Sequence, residues 1–331
     1  MRTLIVCVSA VLGTIGSAAA ADPIQLTLPI DCKIGTTCFI QQYMDVDPGA
    51  GVKDYRCGGA SYNRHSGTDF RVRNLQDVRR GIRVLAAAPG TVWRLRDQVT
   101  DRIVRTAKDR LAVQNVFCGN GVVLDHGNGW RTQYCHMQKG SIQVRQGQKV
   151  KRGEPLGLVG FSGLAQFPHV HLTVSKDGDK VDPFTGTAKP EGCQVDESKS
   201  LWRPDVRSQL SYRRGQLLAS GFSTGRVSPK SVIWRLPEDN EIASNSEALV
   251  AYAWLINVQE GDRVFTQLTG PKGIIASQTS KPLNRHKAQY VQYSGKKRPK
   301  DGWDRGLYVS EVSLIRDGKR VLQHRKVLHM R

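Results

Sequence analysis

His65-Ser66-Gly67-Thr68-Asp69 and, about a hundred residues later, Pro168-His169-Val170-His171-Leu172 are the stretches on which the architecture turns. In extended chain, side chains alternate between faces, so residues at i and i+2, or i and i+4, point the same way. If both stretches run as strands, His65, Asp69, His169 and His171 converge on one side of a sheet. The surrounding sequence supports strands. Arg83-Val84-Leu85-Ala86-Ala87, Gly90-Thr91-Val92-Trp93, Gly121-Val122-Val123-Leu124-Asp125, Trp130-Arg131-Thr132-Gln133-Tyr134 and Gly157-Leu158-Val159-Gly160 are short apolar runs separated by glycine-containing turns. That spacing predicts antiparallel β structure. No amphipathic helical period persists beyond a few turns.

Outside this region the chain divides by composition. Residues 1–21 carry Arg2 as a short basic start, continue as an apolar run and end in Ser17-Ala18-Ala19-Ala20-Ala21. They are expected to be a secretory signal peptide cleaved near Ala20 or Ala21, too short in its apolar part to span a bilayer. The mature chain is therefore expected to be periplasmic or secreted, with no transmembrane segment. Residues 22–63, rich in Gly, Pro, Asp and Cys, are expected to form an irregular, disulfide-tied lead-in. Residues 64–184 form the first β domain, 185–201 a linker, and 202–331 a second β domain.

In the second domain, Ser231-Val232-Ile233-Trp234, Ala248-Leu249-Val250-Ala251-Tyr252-Ala253-Trp254, Arg263-Val264-Phe265-Thr266-Gln267-Leu268, Gly306-Leu307-Tyr308-Val309-Ser310-Glu311-Val312 and Arg320-Val321-Leu322-Gln323 have strand character. Asp317-Gly318 and Pro271-Lys272-Gly273 mark hairpin turns. The expected fold class is all-β, with a C-terminal β-sandwich of immunoglobulin-like size. Trp234, Trp254 and Trp303 are expected as core or turn aromatics.

Six cysteines remain after the leader: Cys32, Cys38, Cys57, Cys118, Cys135 and Cys193. An even count in an exported chain predicts three disulfides. Cys118 and Cys135 flank a hairpin that turns at His126-Gly127-Asn128-Gly129. Cys32 and Cys38 suit a small loop, and Cys57–Cys193 follows by elimination. No Cys-x-x-Cys occurs, which argues against a cysteine metal site. The formal net charge is +20. From residue 201 onward, 23 Lys and Arg stand against 11 Asp and Glu, a net of +12. Such a field gathers anionic partners. In an exported protein these are envelope components rather than nucleic acid. The densest run, Lys296-Lys297-Arg298-Pro299-Lys300, is expected to be a solvated loop. The glycine turns are not phosphate loops, because no helix pattern follows them.

Two imidazoles and one carboxylate suffice to hold Zn²⁺ with an open fourth position, the arrangement of catalytic rather than structural sites. Five of the eight histidines, His65, His126, His136, His169 and His171, lie in this one domain. That is more than a metal needs, so the surplus could move protons near neutral pH.

Taken in order, the motifs resemble the lysostaphin-like, LytM-type zinc metallopeptidases of peptidase family M23, which cut peptide cross-links in bacterial cell walls. The matching elements are His65-Ser66-Gly67-Thr68-Asp69-Phe70, then Asp125-His126-Gly127-Asn128-Gly129-Trp130-x-Thr132-x-Tyr134-x-His136. They continue with Val144-x-x-Gly147-x-x-Val150-x-x-Gly153-x-x-Leu156-Gly157 and Pro168-His169-Val170-His171-Leu172. They cover about residues 60–184. The resemblance implies an antiparallel sheet lining a groove, and one Zn²⁺ per chain held by His65, Asp69 and His171. It implies His136 and His169 as the catalytic pair that activates water and stabilises the oxyanion. His126 matches a turn position with no ligand role.

Two stretches depart from the family pattern. Gly160-Phe161-Ser162-Gly163-Leu164-Ala165-Gln166-Phe167-Pro168 replaces a Gly, Ser and Thr-rich loop, and Leu172-Thr173-Val174 stands where an aromatic and an acidic residue are common. Both bear on substrate preference, since no ligand position is lost. The expected function is a zinc endopeptidase acting on peptidoglycan stem peptides or cross-links, with the basic C-terminal domain contacting the wall or another anionic envelope component. The alternatives are a non-enzymatic wall-binding or hydrolase-activating module, and a zinc protease for extracellular proteins.

Overall fold

A computed structural model of the chain describes residues 23–188, 192–193, 195–238 and 242–330; the expected signal peptide lies outside the described residues. Period-two alternation builds the first unit. Its strands among the described residues are β1 (Cys38–Gln42), β2 (Thr68–Val72), β3 (Arg83–Leu85), β4 (Gly90–Arg96), β5 (Asn120–Asp125), β6 (Trp130–Met137), β7 (Lys149–Val150), β8 (Pro155–Leu158), β9 (His169–Lys176) and β10 (Asp179–Val181). The main sheet runs β1-β2-β9-β6-β5-β4-β7, with β10 paired to β9, and β3 with β8 forms a small second sheet. Every pairing between these strands is antiparallel. On β9, Val170, Leu172 and Val174 are buried in the hydrophobic core with Phe70, Leu124, Tyr134 and Trp202. The intervening residues, His169, His171 and Thr173, share the other face.

Two expectations change here. The irregular lead-in contributes β1, which pairs with β2 as the edge strand of the main sheet. Cys38, Phe39 and Ile40 are buried, so this stretch has enough apolar surface to join a strand to the sheet. His65 lies in the turn before β2 and not on the strand, so its route to the cluster differs from simple alternation. The three disulfides join Cys32–Cys38, Cys57–Cys193 and Cys118–Cys135.

The second unit has β11 (Gln216–Ser223), β12 (Ala248–Val258), β13 (Arg263–Gly270), β14 (Gly273–Thr279), β15 (Lys287–Lys297), β16 (Gly306–Arg316) and β17 (Lys319–Met330). A three-stranded sheet, β11-β12-β15, faces a four-stranded one, β14-β13-β16-β17. Phe222, Leu249 and Ala251 of the first share one core with Leu268, Tyr308 and Leu328 of the second. Asp317 and Gly318, at φ 49° and 75°, make the β16–β17 turn.

The described residues also form four short α-helices: α1 (Leu75–Val78), α2 (Ala107–Leu111), α3 (Pro204–Arg207) and α4 (Pro229–Trp234). Helix α4 occupies a stretch with strand character. The Ser228 hydroxyl accepts the Ser231 N–H, and Pro229 pre-sets the first helical φ, so local capping overrides β propensity. Trp234 is consequently 53% exposed, whereas Trp254 and Trp303 are buried.

The two units meet at the β1–β2 end of the main sheet. Gln41 Nε2 donates to the Ala288 carbonyl at 2.6 Å, and Asn257 Nδ2 donates to the Gln41 carbonyl at 2.9 Å. Arg71 is fully buried there. Its guanidinium lies over the rings of Phe167 (4.6 Å) and Trp254 (5.0 Å) and donates to Gln41 Oε1 at 2.6 Å.

Asp182, after β10, yields a test of the packing. It is fully buried, Oδ1 accepts the Phe184 N–H at 2.7 Å, and Oδ2 has no partner. Burial pushes its carboxyl up to about 7. An unfolded aspartate titrates near about 3.9, so the folded state binds more protons between the two values, and stability falls as pH rises through that window. Asn at this position keeps the acceptor and removes the titration. The stability advantage of Asp182→Asn over wild type should therefore grow between pH 4.5 and 7.5, by up to about 1.4 kcal/mol of unfolding free energy per pH unit, and its Tm advantage should widen with it. Parallel melting curves at the two pH values would refute the burial argument.

Candidate metal centre

The register of β2 against β9 assembles the cluster. Asp69 stands opposite His171, and Arg71 opposite His169. On the other side of β9, Cys135 of β6 stands opposite His171. His65 enters from above the sheet. Gly67 lets the chain pass, because a Cβ there would lie 2.3 Å from the Leu172 carbonyl oxygen and 2.8 Å from His171 Nε2.

Three atoms converge: His65 Nε2 to Asp69 Oδ1 is 3.1 Å, His65 Nε2 to His171 Nδ1 is 3.0 Å, and His171 Nδ1 to Asp69 Oδ1 is 2.8 Å. All three side chains are buried, and they form the one such group among the described residues. Nitrogen and oxygen ligands about 2.0–2.1 Å from a tetrahedral ion stand about 3.3 Å apart, so this triangle needs only a slight opening to hold zinc.

Proton bookkeeping points the same way. His65 Nδ1 donates to the Tyr43 carbonyl at 2.6 Å, so Nε2 of the neutral ring is a lone pair. His171 turns Nε2 to the Thr173 hydroxyl at 2.9 Å and Nδ1 to the cluster. Two imidazole nitrogens and a carboxylate thus crowd one point, and a positive charge relieves them. Burial works against charge on both His65 and Asp69. Nevertheless the Asp69 carboxylate lifts the His65 imidazole above its ordinary value. The His65 and His169 imidazoles hold the Asp69 carboxyl well below the carboxylate range. A metal ion bound here would compete with protons for the same nitrogen and oxygen atoms.

His136 and His169 stand beside the cluster. Their ring centroids are 4.5 Å apart, and His169 Nε2 is 3.6 Å from Asp69 Oδ1. Strict alternation along β6 would put His136 on the face of Tyr134, in the core. Instead His136 adopts φ 63°, next to a register shift between β5 and β6, which turns its ring to the site. For a non-glycine residue this backbone costs about 1–2 kcal/mol. It is held by its N–H donating to the Cys118 carbonyl at 2.8 Å and by the Cys118–Cys135 bridge.

Backbone carbonyls set both tautomers. His136 Nδ1 donates to Ser162 O at 2.8 Å and His169 Nδ1 to Phe167 O at 2.8 Å, leaving each Nε2 as a proton acceptor. Burial pushes both imidazoles below their ordinary value, His136 furthest, with the neighbouring His169 and His171 adding to the effect. His126 is a turn support: Nδ1 donates to Pro89 O at 2.6 Å and Nε2 meets Thr132 Oγ1 at 2.7 Å.

All five expected site residues are thus brought together. The carbonyls of Tyr43, Ser162 and Phe167 leave no mark in a sequence, since any residue supplies a carbonyl. Thr173 did leave one, at the next same-face position after His171. The Gly67 passage generates a prediction. Gly67→Ala should weaken metal affinity by at least about tenfold in chelator competition, whereas Gly225→Ala, with open space around it, should not. Equal affinities would sink the close-approach argument.

Comparison with known proteins bears on the same segment. Residues 63–183 match the family model described as Peptidase family M23. A Haemophilus influenzae protein named "Uncharacterized metalloprotease" is 33% identical over 121 residues, which is 37% of this chain and 20% of that protein. The Vibrio cholerae "Peptidoglycan DD-endopeptidase ShyA" is 42% identical over 66 residues (20% of this chain, 15% of that protein), and "Peptidoglycan DD-endopeptidase ShyC" is 28% identical over 163 (47% and 35%). The chain thus spans about a third or less of these relatives' own length. Among solved structures, the catalytic domain of the prophage-encoded M23 protein EnpA from Enterococcus faecalis aligns at 22% identity and TM-score 0.30, covering 50% of this chain and 96% of that one. Residues 63–183, which carry the His65–Asp69–His171 cluster, are the segment that matches Peptidase family M23.

Proposed function

We propose that the chain is a zinc-dependent endopeptidase that hydrolyses peptide bonds of peptidoglycan stem peptides or cross-links outside the cytoplasm. One observation carries it: a buried three-ligand cluster lies against two imidazoles whose Nε2 atoms are both free to accept a proton. The names of the Vibrio cholerae relatives support the substrate. Three disulfides support an oxidising compartment, periplasmic or secreted.

His65, Asp69 and His171 would hold the ion. When bound there, zinc supplies Lewis acidity toward a water molecule and the scissile carbonyl. The protein's own groups do the rest. One of His136 and His169 takes the proton from the attacking water at Nε2, and the resulting imidazolium donates to the developing oxyanion or the leaving amine. Their proximity means that a positive charge on one disfavours a positive charge on the other, so only one of the two rings is readily protonated at Nε2 at a time. The Asp69 carboxylate beside His169 favours placing that charge on His169. The basic C-terminal unit would aid attachment to the wall or another anionic envelope component.

Purified protein should clear a peptidoglycan gel, contain one zinc per chain by elemental analysis, and lose clearing with a chelator. His171→Ala should lose both metal and activity. His169→Ala should keep the metal and lower kcat by about 10²–10⁴. Clearing by metal-free His171→Ala protein would overturn the mechanism.

A further inference from the structure

The face of the sheet that bears His171 does not end at the metal centre. Two residues along β9, Thr173 stands opposite Gln133 of β6, and Ser175 opposite Arg131. Gln133 pairs with Val123 of β5, which pairs with Arg94 of β4. By alternation these positions share one face. They line a groove of about 470 Å³ that includes Trp93, Arg96 and Lys180. Thr173 belongs to both places, since its hydroxyl lies 2.9 Å from His171 Nε2. A peptide held at the metal centre would therefore run into this groove.

The groove is cationic. Arg94, Arg96, Arg131 and Lys180 line it, and among the described residues no carboxylate does. Arg131 meets Asp125 at 3.4 Å. Arg94, Arg96 and Lys180 are exposed and have no carboxylate within 4.0 Å among the described residues.

The guanidinium groups are also held. The Trp93 ring has Arg94 Cζ at 4.1 Å and Arg131 Cζ at 3.8 Å. Arg96 Nε donates to the Gly119 carbonyl at 2.7 Å. Stacked and tethered guanidiniums lose less side-chain freedom on binding than free ones, and their donors match a carboxylate in pairs. A face serving solubility alone has no need of this fixation.

We propose that this groove is the subsite that binds the free carboxylates of an acidic peptide substrate, with Arg94 and Arg96 as specificity-determining residues. The inference rests on the endopeptidase function proposed above, whose cell-wall stem peptides carry such carboxylates. It adds which side of the metal centre holds them and which groups recognise them.

The test uses the full-length, zinc-loaded chain and two matched stem peptides, one with free carboxylates and one with the same groups amidated. It also uses a non-cleavable reduced-amide analogue of each. Wild type should favour the free-carboxylate form by about tenfold in kcat/KM and in calorimetric affinity for the analogues. In Arg94→Gln/Arg96→Gln that preference should collapse toward unity, with circular dichroism and Tm as wild type because both residues are exposed. Cleavage of both peptides with equal kcat/KM by wild type would overturn the subsite and leave the endopeptidase function standing. Discrimination between the analogues without cleavage of either peptide would overturn the endopeptidase function and leave the subsite standing. A preference that survives in the double variant would overturn the assignment to Arg94 and Arg96.

Discussion

Antiparallel pairing of β2 with β9, in the register that sets Asp69 opposite His171 and Arg71 opposite His169, is the constraint on which the molecule depends. A slip of one residue would turn Val170, Leu172 and Val174 to the site and bury the imidazoles. Phe70 and those three residues, fully or almost fully buried, fix the register through the hydrophobic effect. The polar site is thus positioned by the apolar side of the same strands.

Around that register, backbone carbonyls fix the chemistry of each ring. Tyr43, Ser162 and Phe167 each take one Nδ1 proton and so choose which nitrogen faces inward. Main-chain acceptors on packed segments move little, so the imidazoles are oriented before a substrate arrives. The strained backbone at His136 belongs to the same arrangement, because the disulfide and the Cys118 carbonyl hold it.

The C-terminal unit reaches this shell through the segment beside His169. Phe167, whose carbonyl orients His169, packs in one cluster with Leu218, Trp254 and Ile256 of the second unit. Arg71, across from His169, lies between Phe167 and Trp254. Its buried charge has no carboxylate partner among the described residues, yet its donors meet the carbonyls of Val72 and Arg73 and the Gln41 side chain. The second unit is therefore part of the wall behind a candidate catalytic imidazole as well as a source of positive charge.

Much of this was legible beforehand. Alternating apolar runs and glycine turns specified strands, and His-x-His fixed which β9 residues share a face. The cysteine spacings gave the three pairs later seen, two from proximity and one by elimination. What misled was local: Ser228-Pro229 caps a helix where β-branched residues suggested a strand, and buried Cys38, Phe39 and Ile40 joined a sheet from a segment that looked irregular.

The sequence by itself determined which imidazoles and carboxylate stand at strand spacing and in what order, and His65, Asp69 and His171 form the one such cluster among the described residues. Only the tertiary structure decided how His65 reaches the cluster over Gly67, how a left-handed residue turns His136 away from the core, and where Arg94 and Arg96 lie relative to the metal centre. Those depend on long-range pairing and close backbone approach, which side-chain periodicity along a single strand does not encode.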